Sequence, residues 1–149
     1  MSGPVYTAKE MLARLVAFDT TSSKSNLPLI SFVEDYLAQH GIKSERTPTP
    51  EGDKASLFAT IGPSGGGGVA FSGHTDVVPV DGQAWDSDPF TLVERDGKLY
   101  GRGTCDMKGY LACVLAAVPD FKARKLKVPV HIAFSYDEEV GCLGVRRLI

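Results

Sequence analysis

The chain has 149 residues, 43% hydrophobic and 23% charged, the balance of one globular domain with a buried core rather than a disordered or fibrous chain. Sixteen basic residues against eighteen acidic ones give a net charge of −2 with no long run of either sign, so neither nucleic acid nor an anionic membrane is an expected partner. Three cysteines (Cys105, Cys113, Cys142) with no C-x-x-C pair exclude a disulfide framework or a zinc knuckle.

No apolar stretch approaches the roughly 20 residues that a spanning helix needs. The start, MSGPVYTAKEMLARL, has no basic segment followed by an apolar core, so no secretion signal is expected and the cytoplasm is the expected location.

In chain order, Thr7 and Glu10 have capping-box spacing, and Met11, Leu12, Leu15, Val16 and Phe18 recur on one helical face, predicting a first helix that ends near Asp19. A second helix is predicted after Ser25-Asn26. Pro28 is tolerated in its first turn, the stripe is Leu29, Ile30, Phe32, Val33, Tyr36 and Leu37, and Gly41 is the stop. Short strands are predicted over 42–46, 57–61 and 69–72. The last two flank a glycine-rich connection (Gly65 to Gly68) and are expected to form a hairpin. That connection contains G-x-G-x-x-A, but a strand follows where a dinucleotide site needs a helix, so it reads as a turn.

The stretch 80–90 reads as loop, and Asp96-Gly97 between 91–94 and 98–100 reads as a hairpin turn. A helix is predicted from Lys108 to Val118, ended or kinked by Pro119. The apolar run Val128 to Tyr136 is expected to be a central strand buried on both faces. The fold class is therefore α/β, a mixed sheet flanked by helices with its site at strand ends.

Three segments deliver polar residues to the end of such an element. In Ser72 to Pro79, His74 and Asp76 stand two apart in an extended chain and so share a side. A metal-binding imidazole commonly has its second ring nitrogen held by a carboxylate in this way, although H-x-D also fits plain surface residues. In Tyr100 to Gly109, Asp106 falls at a helix mouth, where the dipole favours an anion and a simple N-cap is the alternative. Cys105 beside it lacks the orienting partners of a nucleophile. In Phe134 to Gly144, Asp137, Glu138 and Glu139 end an apolar strand, where three carboxylates repel one another unless a cation lies between them or the loop is solvated. One imidazole with several carboxylates suits a zinc- or cobalt-type site better than calcium or a thiolate site.

These segments, SGHTDVVP, GRGTCDMKG and SYDEEVGCLG in this order, resemble the M20 metallopeptidase family over nearly the whole chain, and its deacetylase branch most. The resemblance implies a zinc-exopeptidase-like catalytic domain holding two divalent ions, zinc or cobalt. It implies that His74 ligates the first ion, Asp106 bridges both and Glu139 ligates the second. The catalytic assignments it carries are Asp76, bracing His74, and Glu138, the general base and acid for hydrolysis of a small-molecule N-acyl amino acid. A cis peptide bond after Asp106 is also implied.

Family members are considerably longer, with a lid domain for dimerisation and a returning catalytic segment. Residues 1–149 are therefore expected to be the N-terminal portion of the catalytic domain of a homodimeric parent, inactive alone and with the 128–136 strand poorly covered. A further acidic ligand and a distal histidine are expected beyond Ile149, since His40 at a helix end and His131 inside a strand are no substitutes. A desuccinylase, aminoacylase or carboxypeptidase specificity, or a non-catalytic binding module, stays open on sequence.

Overall fold

The computed structural model describes residues 3–149; Met1 and Ser2, the first residues of the stretch read for a leader, lie outside it. Helix α1 (Ala8–Val16) opens with the predicted capping box, in which the Thr7 hydroxyl accepts the Glu10 N–H while the Glu10 carboxylate accepts the Thr7 N–H. Its Met11, Leu12, Leu15 and Val16 are buried. Helix α2 (Leu27–Gln39) starts with Pro28 in its first turn and buries Leu29, Ile30, Val33, Tyr36 and Leu37. The Asn26 side chain does not cap it. Asn26 instead donates to Ala55 O and Thr75 Oγ1, each at 2.8 Å, and accepts from Ala55 N at 3.0 Å, which ties the helix start to two strand ends.

Strands β1 (Ser44–Pro48) and β2 (Ala55–Ile61) form an antiparallel pair. The expected hairpin between β2 and β3 (Val69–His74) does not form, because β6 (Val130–Ser135) lies between them and the sheet order is β1-β2-β6-β3. The reason is burial: Val130, Ile132 and Phe134 stand opposite Ile61, Ala59 and Leu57, and together these six build one unbroken apolar face. β6 is antiparallel to β2 and parallel to β3. It is central, but the second burial face predicted for it is only half covered, with His131 and Ala133 partly exposed.

β4 (Val93–Arg95) and β5 (Lys98–Tyr100) form the predicted hairpin, with Asp96 and Gly97 at φ +53° and +69° as its two-residue turn demands. Helix α3 (Lys108–Ala116) packs against α1 and over β3, where the position of a Cβ on Gly73 is only 2.7 Å from Leu111 Cδ2. Pro119 does not simply terminate α3. It sits in the first turn of a further short helix, α4 (Val118–Ala123), where its missing N–H leaves no helical bond unmade. A last turn, α5 (Val145–Leu148), contacts β2 and β6. No helix among the described residues is long and apolar enough to cross a membrane.

Candidate metal centre

The parallel pairing of β3 with β6 decides where the chemistry lies. His74 stands opposite Ser135, so both strands end at the same edge, and the residues after them, Thr75-Asp76 and Tyr136 to Glu139, emerge side by side. The segment before α3 brings Asp106 to that edge, and the Asp106–Met107 peptide bond is cis. Met107 Sδ lies 3.2 Å from the His74 N–H, which donates to it.

One ligand atom from each of His74, Asp106 and Glu139 falls within a 4.8 Å cluster. His74 is buried, Asp106 exposed and Glu139 intermediate, so the cluster sits at the floor of an open cleft. Its position between two small cavities is consistent with this: one of about 280 Å³ touches Val78, Thr104, Asp106 and Glu139, and one of about 210 Å³ touches Gly73, His74, Met107, Glu138 and Cys142. A larger cavity of about 580 Å³, lined in part by His40, Pro119 and Lys122, lies at the far ends of α2 and α4 and gathers no acids.

The His74 ring is oriented from behind. Its Nδ1 lies 2.9 Å from the main-chain carbonyl of Asp76, an oxygen that can only accept, so Nδ1 carries the proton and Nε2 of the neutral ring keeps its lone pair for a ligand. That nitrogen points at Asp106 Oδ1 at 2.9 Å and at Glu138 Oε2 at 3.7 Å. Burial opposes a positive charge on His74, yet hydrogen bonds to Asp76 and Asp106 raise its pKa to about 9. Without a metal, a proton on His74 holds the acids together.

The brace differs in detail from the sequence expectation. The Asp76 carboxylate is 3.5 Å from Nδ1, farther than the carbonyl of the same residue. Its oxygens are directed elsewhere: Oδ1 accepts the Glu138 N–H at 3.0 Å, and Oδ2 accepts the Glu139 N–H at 3.2 Å and the Ser22 hydroxyl at 2.7 Å. Burial works to raise the Asp76 pKa, and these bonds together with His74 outweigh it and lower it.

The acidic triplet is likewise rearranged. Glu138 and Glu139 do not continue the extended chain of β6. They lie instead in a turn, opened by Asp137 at φ +52° and closed by Glu138 O accepting from Gly141 and Cys142. Asp137 leaves the cluster altogether, because Lys54 Nζ donates to both its oxygens at 2.7 and 2.9 Å. Lys54 and Ser22 carry no motif, and sequence reasoning missed both.

The donor set fits a divalent cation. One imidazole and hard carboxylates converge, and the pKa of Glu139 is raised by its burial and by the repulsion of Asp106. Among the described residues, the ion pairs of Asp106 and Glu138 are with His74 alone. His40 and His131 are spent elsewhere, on Pro4 O at 3.0 Å and on Thr60 Oγ1 at 2.9 Å.

Comparison with known proteins bears on the same segments. Residues 70–149 match the family described as peptidase family M20/M25/M40. The chain is 41% identical over 143 residues to an acetylornithine deacetylase of Shigella sonnei (strain Ss046), covering 95% of itself and 37% of that relative. Its structure superposes on human carnosine dipeptidase 1 with a TM-score of 0.82 and 29% identity, over 95% of the chain and 34% of the dipeptidase. A metallo-carboxypeptidase, Sso-CP2 of Sulfolobus solfataricus, gives the same TM-score at 21% identity, over 97% and 34%. The mixed sheet flanked by helices is the fold these structures share, and the chain spans about a third of their length.

Proposed function

The chain belongs to peptidase family M20/M25/M40, and from that premise we propose that it is part of a metal-dependent amide hydrolase that removes the acetyl group from N2-acetyl-L-ornithine, giving ornithine and acetate in arginine biosynthesis. The observation that carries the reading is the 4.8 Å convergence of His74, Asp106 and Glu139 with Glu138 alongside. The 41% identity to an acetylornithine deacetylase supports the choice of acyl group and amine.

His74 and Glu139 would each hold one of two divalent ions, zinc or cobalt, and Asp106 would bridge them. When bound, such ions supply Lewis acidity toward a carbonyl oxygen and make a water molecule more acidic. The chain's own contribution is positioning and proton transfer. Glu138, 45% exposed at the cleft, takes the proton of the attacking water and returns it to the leaving amine nitrogen as the C–N bond breaks. The balance is one water consumed, one carboxylic acid and one amine formed. A non-catalytic module would have no use for a free carboxylate beside three ligands, and Glu138 favours the enzyme on that ground.

Catalytic zinc ordinarily has about three protein ligands. Counting Asp106 twice, this chain gives each ion two. We therefore propose that residues 1–149 form the N-terminal portion of the catalytic domain of a homodimeric protein, that ligands outside the chain complete the site, and that the chain alone binds metal weakly and is inactive. Three exposed, unpaired thiols suit a reducing compartment, and the cytoplasm is the proposed location.

Two assays test the proposal. Zinc titration of the chain should give weak binding that disappears in H74A, and undiminished binding in H74A removes the centre. In a protein extended to the length of its relatives, N2-acetylornithine should be cleaved faster than N-succinyl-diaminopimelate or a dipeptide. A preference for either of the others transfers the specificity to that class.

A further inference from the structure

Lys54 immediately precedes β2 and lies 83 residues from Asp137, outside every motif that marks the metal centre. Its side chain is 12% exposed and all three donors of its ammonium are used: Asp137 Oδ1 at 2.7 Å, Asp137 Oδ2 at 2.9 Å and the main-chain oxygen of Ser22 at 2.6 Å. The Ser22 hydroxyl donates to Asp76 Oδ2 at 2.7 Å, and the Asp76 carboxylate accepts the N–H groups of Glu138 and Glu139. The contacts close a ring: Lys54, Ser22, Asp76, the amides of Glu138 and Glu139, Asp137, and back to Lys54.

From this geometry we propose that Lys54 is a positioning residue of the metal centre, an inference that rests on the metal reading above. It acts in two ways. It neutralises Asp137, which leaves Glu138 and Glu139 as the free carboxylates of the triplet. It also anchors both sides of the acidic turn, through Asp137 directly and through Ser22 and Asp76 indirectly, to a rigid hairpin.

The anchor is stiff because the residues around it are. Lys54 N donates to Thr49 Oγ1 at 3.3 Å and Lys54 O accepts the Thr49 N–H at 2.9 Å, while Ala55 is bonded through both its N–H and its carbonyl to Asn26. An ammonium with three fixed acceptors on such a frame has little freedom. Removing it would leave the largely buried Asp137 carboxylate unpaired, next to a turn that already carries two acids.

The test reads amide hydrogen exchange in the metal-free chain and zinc affinity separately. In K54M, the Glu138 and Glu139 amides should lose protection by about tenfold or more while those of Ile132 and Phe134 in β6 stay as in the wild type. Zinc should bind about 10- to 100-fold more weakly, the loss seen when partners that orient metal ligands are removed. Wild-type protection at Glu138 and Glu139 in K54M overturns the proposal.

Should K54M lose β6 protection as well, the double variant K54M/D137L decides, since it opens the ring without leaving a buried lone charge. Exposure of the same two amides with β6 intact supports the role, and full protection overturns it. The exchange data judge Lys54 without metal, whereas zinc titration of the wild type judges the centre itself, so the two ideas fail independently.

Discussion

Asp76 Oδ1 accepts the main-chain N–H of Glu138 at 3.0 Å, joining two residues 62 apart in sequence. The same carboxylate also takes the Glu139 N–H, so one side chain just beyond β3 fixes the backbone of the turn that carries two of the acids. A metal ligand and a proton carrier are thereby held by their amides, and their carboxylates remain at the His74 cluster.

That relationship makes D76N an informative substitution. An asparagine oriented to accept one amide presents its NH2 group to the other, so at least one N–H of Glu138 or Glu139 loses its acceptor. Zinc affinity of the chain is expected to fall about 10- to 100-fold. E138Q, which leaves every amide contact in place, should bind zinc within a few-fold of the wild type and, in a catalytically complete protein, lower the rate by about 10²- to 10⁴-fold. Equal zinc affinity in D76N and wild type would show that the amide clamp is dispensable.

A second expectation concerns pH. The metal-free His74 has its pKa raised from 6.5 to about 9, by its bonds to Asp76 and Asp106 working against burial. A raised histidine stabilises the fold fully below the unfolded value of 6.5 and loses that contribution as pH rises through about 9. For a side chain 6% exposed the difference is roughly 3 kcal/mol. Melting in chelator from pH 6 to 9.5 should therefore show the wild type losing stability relative to H74N. With zinc the slope reverses, since Nε2 must shed its proton to ligate, and apparent affinity should rise about tenfold per pH unit up to about 9. An affinity independent of pH across that range would mean that His74 is not the ligand.

The sequence revealed local signals and concealed long-range ones. Thr7 with Glu10 and Asp96-Gly97 each encode their structure within a few positions and formed as read, while the apolar run of β6 marked a central strand but not that one of its faces is only half covered. The insertion of β6 between β2 and β3 depends on which of several apolar strands pack together, a competition that no window of sequence contains. The site divides along the same line. His74, Asp106 and Glu139 lie in segments dense with polar residues at element ends, and they meet. Ser22 and Lys54 are a common hydroxyl and a common amine whose importance comes only from what stands 54 and 83 residues away.

Gly144 tests how tightly the acidic turn must close. Its N–H donates to Tyr136 O at 3.1 Å and its carbonyl accepts the Ser56 hydroxyl at 3.2 Å, which joins the end of the turn to the end of β6 and to β2. A Cβ at this position would lie 2.3 Å from Tyr136 O and 2.7 Å from Tyr136 N, both main-chain atoms that cannot step aside. G144A is expected to destabilise the chain by about 1–3 kcal/mol and to weaken zinc binding through displacement of Glu138 and Glu139. Denaturant unfolding and zinc titration measure the two effects, and a variant unchanged in both would show that the turn closes by another route.

Lys108 offers the opposite pH signature to His74. Its side chain is fully buried at the start of α3 and donates to Phe18 O at 2.6 Å. Burial lowers its pKa from 10.5 to about 8 against the attraction of Asp19. Between those values the folded chain holds less proton than the unfolded one, so the contribution of Lys108 is complete above 10.5 and is lost as pH falls through about 8. The stability of wild type minus K108M should therefore rise with pH from about 8 to 10.5, by roughly 3 kcal/mol at most. At neutral pH the variant escapes the cost of a buried charge but leaves Phe18 O without its donor, about 1–3 kcal/mol in the other direction, so the two proteins should be nearly equal there. A difference that stays flat from pH 7 to 10.5 would mean that Lys108 keeps an ordinary pKa inside the fold, reached by water along its length.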